Sequence, residues 1–202
     1  MKCVIPVSYT HLDVYKRQLR ILPTSIDASA YMPTTATQDD PPTIAWIGSP
    51  ENLVYLEMIR PALARLAVRH PALRLKVICS RFPEWPEVTI ERVPWSAPTE
   101  AAALAGAHIG IMPLSDDEWS RGKCAFKLLQ YMAAALPCVA SPIGANREAV
   151  IDGVSGFHAR GTDEWERCLD LSLIHIYPVG MHRVAGFHVR ASHGAEPRPQ
   201  VR

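Results

Sequence analysis

The sequence predicts an α/β domain in the middle of the chain: a parallel β-sheet with helices on both faces. Two observations predict it. Apolar, β-prone runs alternate with segments of helical period from residue 43 to residue 153, the pattern of strands returned in parallel by crossover helices. The composition is also that of a globular protein, with 48% hydrophobic and 20% charged residues in a chain of 202, enough for one ordinary domain plus flanking segments.

The elements follow in order. TIAWIGS (residues 43–49) is a first strand, preceded by the polar, proline-rich stretch TTATQDDPP, which reads as a linker. Ser49 is placed to cap the following helix, and Pro50 suits its first position. Leu53, Leu56, Ile59, Leu63 and Leu66 then recur at three- and four-residue spacing, and Pro61 inside that pattern predicts a kink. LRLKVICS (73–80) and VTIERVPW (88–95) are the second and third strands. Residues 100–107 form a short alanine-rich helix, and HIGIMPL (108–114) a fourth strand. The polar stretch SDDEWSRG is expected to be a loop, and KCAFKLLQYMAAAL (123–136) a strong helix. PCVASPIG (137–144) is the fifth strand, and ANREAVIDG (145–153) a short helix ended by glycine.

Several classes of function are excluded at this stage. A formal net charge of +1 gives no electrostatic case for nucleic acid. No apolar run approaches the roughly 20 residues of a spanning helix. The five cysteines (Cys3, Cys79, Cys124, Cys138, Cys168) are scattered with no CxxC pair, which predicts buried free thiols in a reducing cytoplasm and no zinc site. The run PVSYTHLDVYKRQ (6–18) has no sustained period and lacks the layout of a signal peptide. It and LSLIHI (171–176) look like foreign translated sequence. The expected organisation is therefore a non-native or disordered leader (1–18), a crossover and linker (19–42), a ligand-binding domain (43–170) and a non-native or disordered tail (171–202).

Ligands of open α/β sheets bind beyond the carboxyl ends of the strands. That puts the loops at 48–52, 115–123 and 141–147 on one rim, each leading into a helix whose first N–H groups favour anions. Arg121, Lys123 and Lys127 add positive charge there, with Lys123 and Lys127 four residues apart and so expected on one face of the helix at its start. A diphosphate leaving group needs such donors where negative charge grows. An ordinary solvated basic patch would have the same spacing.

The segments ILPTSIDASAYMP, IAWIGSPENLVYLEMIRPAL and HIGIMPLSDDEWSRGKCAFKLLQYMAAALPCVASPIGANREAVIDGVSGFHA together resemble the donor domain of family-four retaining glycosyltransferases. The resemblance covers residues 19–169 and implies a Rossmann-like domain, the C-terminal half of a GT-B fold. It further implies a nucleotide-diphosphate sugar as donor substrate, no metal or other cofactor, a cytoplasmic site and an acceptor domain outside this chain. Peripheral membrane association of the full-length protein is compatible with it. Arg121, Lys123, Lys127, Gln130, Ser49 and Asn146 become the expected donor contacts.

The departures are informative. The family's Glu-x7-Glu pattern falls on Gly122 and Gln130, so the resemblance leaves Asp117, or its neighbours Asp116 and Glu118, as the stand-in for the first carboxylate. The family's Gly-Arg…Lys pair after the first strand is replaced by Ser49-Pro50-Glu51. Trp46 is expected in the core, Trp119 in loop packing or against a sugar or base, and His70 and His108 in structural or solvated roles. Two readings stand beside the enzyme: a nucleotide-binding module that has lost its catalytic carboxylate, and a truncated gene product without activity.

Overall fold

The computed structural model describes residues 24–33, 36–37 and 39–175. The expected leader (1–18) and the tail beyond residue 175 lie outside them. Six parallel strands form one sheet: β1 (Thr43–Ile47), β2 (Arg74–Cys79), β3 (Thr89–Pro94), β4 (Ile109–Met112), β5 (Cys138–Ala140) and β6 (Gly156–His158), in the order β3-β2-β1-β4-β5-β6. The chain builds outward from β1 to β3, then returns to lay β4 on the other side of β1. β1 and β4 are therefore the switch point of the sheet.

Helices cover both faces, as the sequence predicts. One face receives α1 (Leu53–Met58), α2 (Arg60–Arg69) and α7 (Thr162–His175). Their Leu56, Leu63, Leu66, Trp165 and Leu169 pack on Ile44, Trp46, Leu75, Val77 and Ile111 of the strands. The other face receives α3 (Glu100–Ala103), α5 (Phe126–Ala133) and α6 (Asn146–Ala149). There Leu104, Leu128, Tyr131 and Ala149 pack on Ala45, Ile47, Ile78 and Met112. Alternate residues of β1 thus feed opposite cores, the two-residue period of a strand buried on both sides.

The structure shortens the helices expected at 100–107 and 145–153 to Glu100–Ala103 and Asn146–Ala149 and the fifth strand to Cys138–Ala140, and it changes other boundaries for local reasons. Pro61 does more than kink its helix: α1 ends at Met58, Ile59 leaves helical geometry (φ −103°, ψ 3°) and α2 restarts at Arg60. Proline has no N–H for the preceding turn, and its ring crowds the carbonyl four residues back. Ser49 heads a 3-10 turn, Pro50–Asn52, without a side-chain cap, because its Oγ accepts from Asn52 Nδ2 at 2.8 Å. The expected loop 115–122 contains a short helix, α4 (Glu118–Arg121), capped by Asp117. The helix expected from residue 123 begins at Phe126, after Ala125 turns left-handed (φ 56°).

The end of the domain extends the sequence reading. β6 and α7 carry no counterpart among the predicted elements, and α7 continues through residues 171–175, which the sequence assigned to a non-native or disordered tail. Trp165, Cys168, Leu169, Ser172 and Leu173 are all buried, at the i, i+3, i+4, i+7, i+8 spacing of an amphipathic helix. Arg65 to Asp163 (2.8 Å), Arg69 to Asp170 (2.8 Å) and His70 to Asp170 (2.7 Å) flank this face and join α7 to α2. Among the described residues, no helix is long and apolar enough to cross a membrane.

β1 and β4 pair only at Ile44–Ile109 and Ala45–Gly110. Beyond that point Tyr131 of α5 joins them: its hydroxyl accepts from the Ile47 N–H and donates to the Ile111 carbonyl, each at 3.1 Å. The ring lies against Gly110, where any β-carbon would overlap it. Tyr131→Phe orphans one buried donor and one buried acceptor, and each such loss costs about 1–3 kcal/mol. Urea denaturation of this variant is expected to show a destabilisation of at least about 1 kcal/mol; an unchanged midpoint would show that the hydroxyl does not hold the strands.

Candidate functional site

The crevice opens where β1 and β4 part, beyond their carboxyl ends. Its walls are the turn after β1, with Gly48, Asn52 and Tyr55, and the segment after β4 that leads through α4 into α5. Contacts across it are specific. Lys123 Nζ donates to Asn52 Oδ1 at 2.8 Å and stands over the Tyr55 ring, 4.4 Å from its centroid. The Ser120 and Tyr55 hydroxyls share a hydrogen bond at 3.2 Å. These bonds tie the loop after β4 to α1, across the switch point.

Lys127 occupies the centre. Its ammonium lies 4.8 Å from the centroid of the Trp46 ring, at the end of β1. A β-carbon on Gly48 would come within 2.8 Å of that nitrogen and 2.6 Å of the indole, so glycine is what lets the lysine pass. No carboxylate pairs with it among the described residues. Burial, and then the neighbouring charge of Lys123, lower its pKa to about 8. A mostly buried cation with an aromatic face behind it and no counter-ion is suited to receive an anion.

The structure distributes the other expected contacts differently. Gln130 is buried, and its Nε2 donates to the Tyr31 hydroxyl at 3.0 Å. Asn146 is also buried, with Nδ2 donating to the Ser141 carbonyl at 3.0 Å, so it shapes the loop after β5. Ser49 is exposed at the turn after β1. Arg121 is exposed and pairs through Nε with Asp116 at 2.7 Å, which holds that carboxyl below its usual range. Together with Ile143, Gly144 and Arg147 these two residues line a neighbouring cleft of about 400 Å³.

Asp117, the expected stand-in carboxylate, is engaged in the fold. Its Oδ1 accepts from the Ser120 N–H at 2.7 Å, and its Oδ2 from the Ser115 hydroxyl and from Ser120 Oγ at 3.3 Å. The Ser115 bond is first among those that lower its pKa. This is the geometry of a helix cap, and it leaves the carboxylate few lone pairs for a substrate. Gly122 caps the other end of α4 with ordinary backbone angles (φ −79°), and a β-carbon there would meet nothing closer than 3.4 Å. The fold therefore has room for a side chain at the position where the resembled family has glutamate.

Sequence reasoning missed Asn52, Tyr55 and Tyr131 as parts of this site. Their signal is weak: each reads as one more polar or aromatic residue on a helix until the crossing of α1, α4 and α5 is known. His108 is structural, as expected: Nδ1 accepts from the Thr43 N–H, and Nε2 meets the Thr37 carbonyl, both at 3.1 Å. Cys79, Cys138 and Cys168 are buried free thiols. Among the described residues no three His, Cys, Asp or Glu side chains gather as a metal set.

A family model described as glycosyl transferases group 1 matches residues 41–170, the span containing all six strands. No protein of curated function matches the chain. Among solved structures the chain is similar to AviGT4, a glycosyltransferase involved in avilamycin A biosynthesis, at 17% identity and a TM-score of 0.50, covering 79% of this chain and 54% of that one. It is also similar to the pneumococcal O-GlcNAc transferase GtfA in complex with UDP and GlcNAc, at 11% identity and a TM-score of 0.47, covering 72% of this chain and 30% of that one. At 17% identity the likeness to AviGT4 is one of fold. The chain spans between 30% and 54% of the length of these two structures.

Lys127 makes stability depend on pH in a defined direction. With a folded pKa of about 8 against an ordinary 10.5, the unfolded chain holds a proton between these values that the folded chain has released. Folding is therefore opposed by this group below pH 8 and relieved as pH rises to 10.5. Lys127→Met is expected to be more stable than the parent at pH 7, with the gap closing by pH 10.5. Denaturation curves at both pH values measure it, and a pH-independent gap would contradict the assignment.

Proposed function

The chain belongs to the glycosyl transferases group 1 family, and from that membership we propose that its switch-point crevice binds the diphosphate of a nucleotide-sugar donor. The fold is the α/β, Rossmann-like arrangement of GT-B glycosyltransferases. One observation carries the proposal: Lys127, mostly buried and without a carboxylate partner, stands beside Lys123 at the mouth of β1 and β4. Two ammonium groups there would meet the charge of a diphosphate already present in the ground state. They would stabilise it further as the bond to the sugar breaks.

In the reaction so proposed, the bond between the anomeric carbon and the diphosphate oxygen breaks, and its electron pair leaves with the diphosphate. The acceptor oxygen bonds to the anomeric carbon and gives up its proton to a diphosphate oxygen, the proposed base, since Asp117 is engaged in capping α4. The work of this domain is positioning and charge stabilisation rather than acid–base chemistry by a carboxylate pair. The donor is a nucleotide-diphosphate sugar of unassigned sugar and base, used without a metal, and the acceptor is bound by a part of the protein outside this chain. Lys123 and Lys127 are the proposed diphosphate ligands, and Ser49 lies on the same turn after β1. Gln130 contributes by holding Tyr31 against α5.

A second reading has its own support. Gly122 supplies no carboxylate and Asp117 is occupied by capping, which favours a module that binds the nucleotide sugar without turnover. Binding separates both readings from an inert chain. Titration calorimetry of this chain with inorganic pyrophosphate is expected to show saturable binding. Lys127→Ala and Lys123→Ala should each weaken it about tenfold or more, the effect of one charge-assisted hydrogen bond. Absence of binding, or identical affinities in all three proteins, would remove the proposal. Donor hydrolysis by the full-length protein would then favour the enzyme over the module.

A further inference from the structure

We propose that the cleft between α4 and the loop after β5 receives the sugar of that donor, and that this sugar carries a carboxylate. The inference rests on the diphosphate reading above and extends it to the class of sugar.

Position comes first. β5 is the neighbour of β4 on the side away from β1, and strands lie about 4.8 Å apart. The cleft therefore lies at the same carboxyl-end rim as the lysine crevice, one strand further along the sheet. The two loops that wall it are held together. The Leu114 N–H donates to Ser141 Oγ at 3.0 Å, and the Ser141 N–H donates to the Met112 carbonyl at 3.1 Å. Gly144, left-handed at φ 51°, lies so close to the Arg121 carbonyl that a side chain there would force the loops apart. The cleft has a volume of about 400 Å³ and is open to solvent on the side of Asp116, Arg121 and Arg147.

The lining then selects the chemistry. Two guanidinium groups, Arg121 and Arg147, share the cleft with one carboxylate, Asp116. Asp116 takes the Nε of Arg121 at 2.7 Å, which orients that side chain and neutralises one of the two charges. Arg147 is oriented by donating from Nε to the Pro142 carbonyl at 2.6 Å. Its terminal nitrogens make no hydrogen bond or ion pair among the described residues. Arg147 is exposed, and a planar pair of N–H donors held from behind by the Pro142 carbonyl matches a carboxylate in the two-point geometry that distinguishes arginine from lysine. A neutral hexose offers hydroxyls, which satisfy such donors without answering the net charge.

Glycosyl 1-phosphates test this without commitment to a base. Glucuronic acid 1-phosphate is expected to bind this chain about 5- to 20-fold more tightly than glucose 1-phosphate, by NMR titration. Arg147→Gln should abolish that preference while leaving pyrophosphate affinity unchanged, and Arg147→Lys should restore it only in part. Equal binding of the two sugars by the parent chain would overturn the inference and leave the diphosphate reading intact. A loss of pyrophosphate affinity in Arg147→Gln would overturn it too, by assigning the cleft to phosphate. If pyrophosphate does not bind at all, the diphosphate reading fails, and the inference fails with it. Unchanged thermal unfolding of each variant confirms that binding, not folding, is being compared.

Discussion

The phenol of Tyr131 stands between two strands that have stopped pairing, and the crevice exists because of it. Parallel neighbours at a switch point must diverge, since their crossovers leave in opposite directions, and divergence strips backbone groups of partners in a place closed to water. Here one hydroxyl meets both needs, accepting from Ile47 and donating to Ile111. Burial raises the pKa of Tyr131 far above its ordinary value, so the group remains a donor at any physiological pH. The same side chain requires glycine at position 110 and anchors α5. The position of Lys127, one turn earlier on that helix, follows from this anchor.

Lys127 and Lys123 then differ in what surrounds them. Lys123 has a hydrogen-bond acceptor in Asn52 and a ring in Tyr55. Among the described residues, Lys127 has the face of Trp46 and no hydrogen-bond acceptor. An aromatic face offsets part of the desolvation of a cation but leaves its hydrogen bonds unmade. The domain thus stores an unsatisfied charge where its fold directs a ligand, which is the arrangement expected of a preorganised anion site. Two of the carboxylates nearby have other engagements, since Asp117 caps α4 and Asp116 holds Arg121, and Glu118 is exposed on α4.

Much of the fold was legible from residue pattern. The five predicted strands are present within a residue or two at most ends, because runs such as IAWI and KVIC carry their own β-propensity and bury on both faces. Helix limits were less legible. The period of 53–66 is continuous, yet Pro61 divides it in two. The period of 123–136 is also continuous, yet Ala125 turns left-handed with its side chain in the core, and the helix begins only at Phe126. β6 is three residues long, too short to show a period. α7 shows one plainly in Trp165, Cys168, Leu169 and Leu173, and it was hidden only by grouping residues 171–176 with a segment that looked foreign.

By itself, then, the sequence determined the alternation of elements, the parallel sheet, the basic character of the rim after β4 and the family to which the domain belongs. Those are properties of local pattern, and local pattern is written in neighbouring residues. Only the tertiary structure decided which charges meet. Arg121, Lys123 and Lys127 lie within seven residues of one another, yet Arg121 turns to Asp116 and the second cleft while the two lysines turn to α1 and β1. Gln130 and Asn146 are buried, and their amide nitrogens bond to the Tyr31 hydroxyl and the Ser141 carbonyl. The physical reason is the left-handed Ala125 and the short helix before it, which rotate each side chain to a different wall. That rotation depends on packing against distant strands, and no spacing along the chain encodes it.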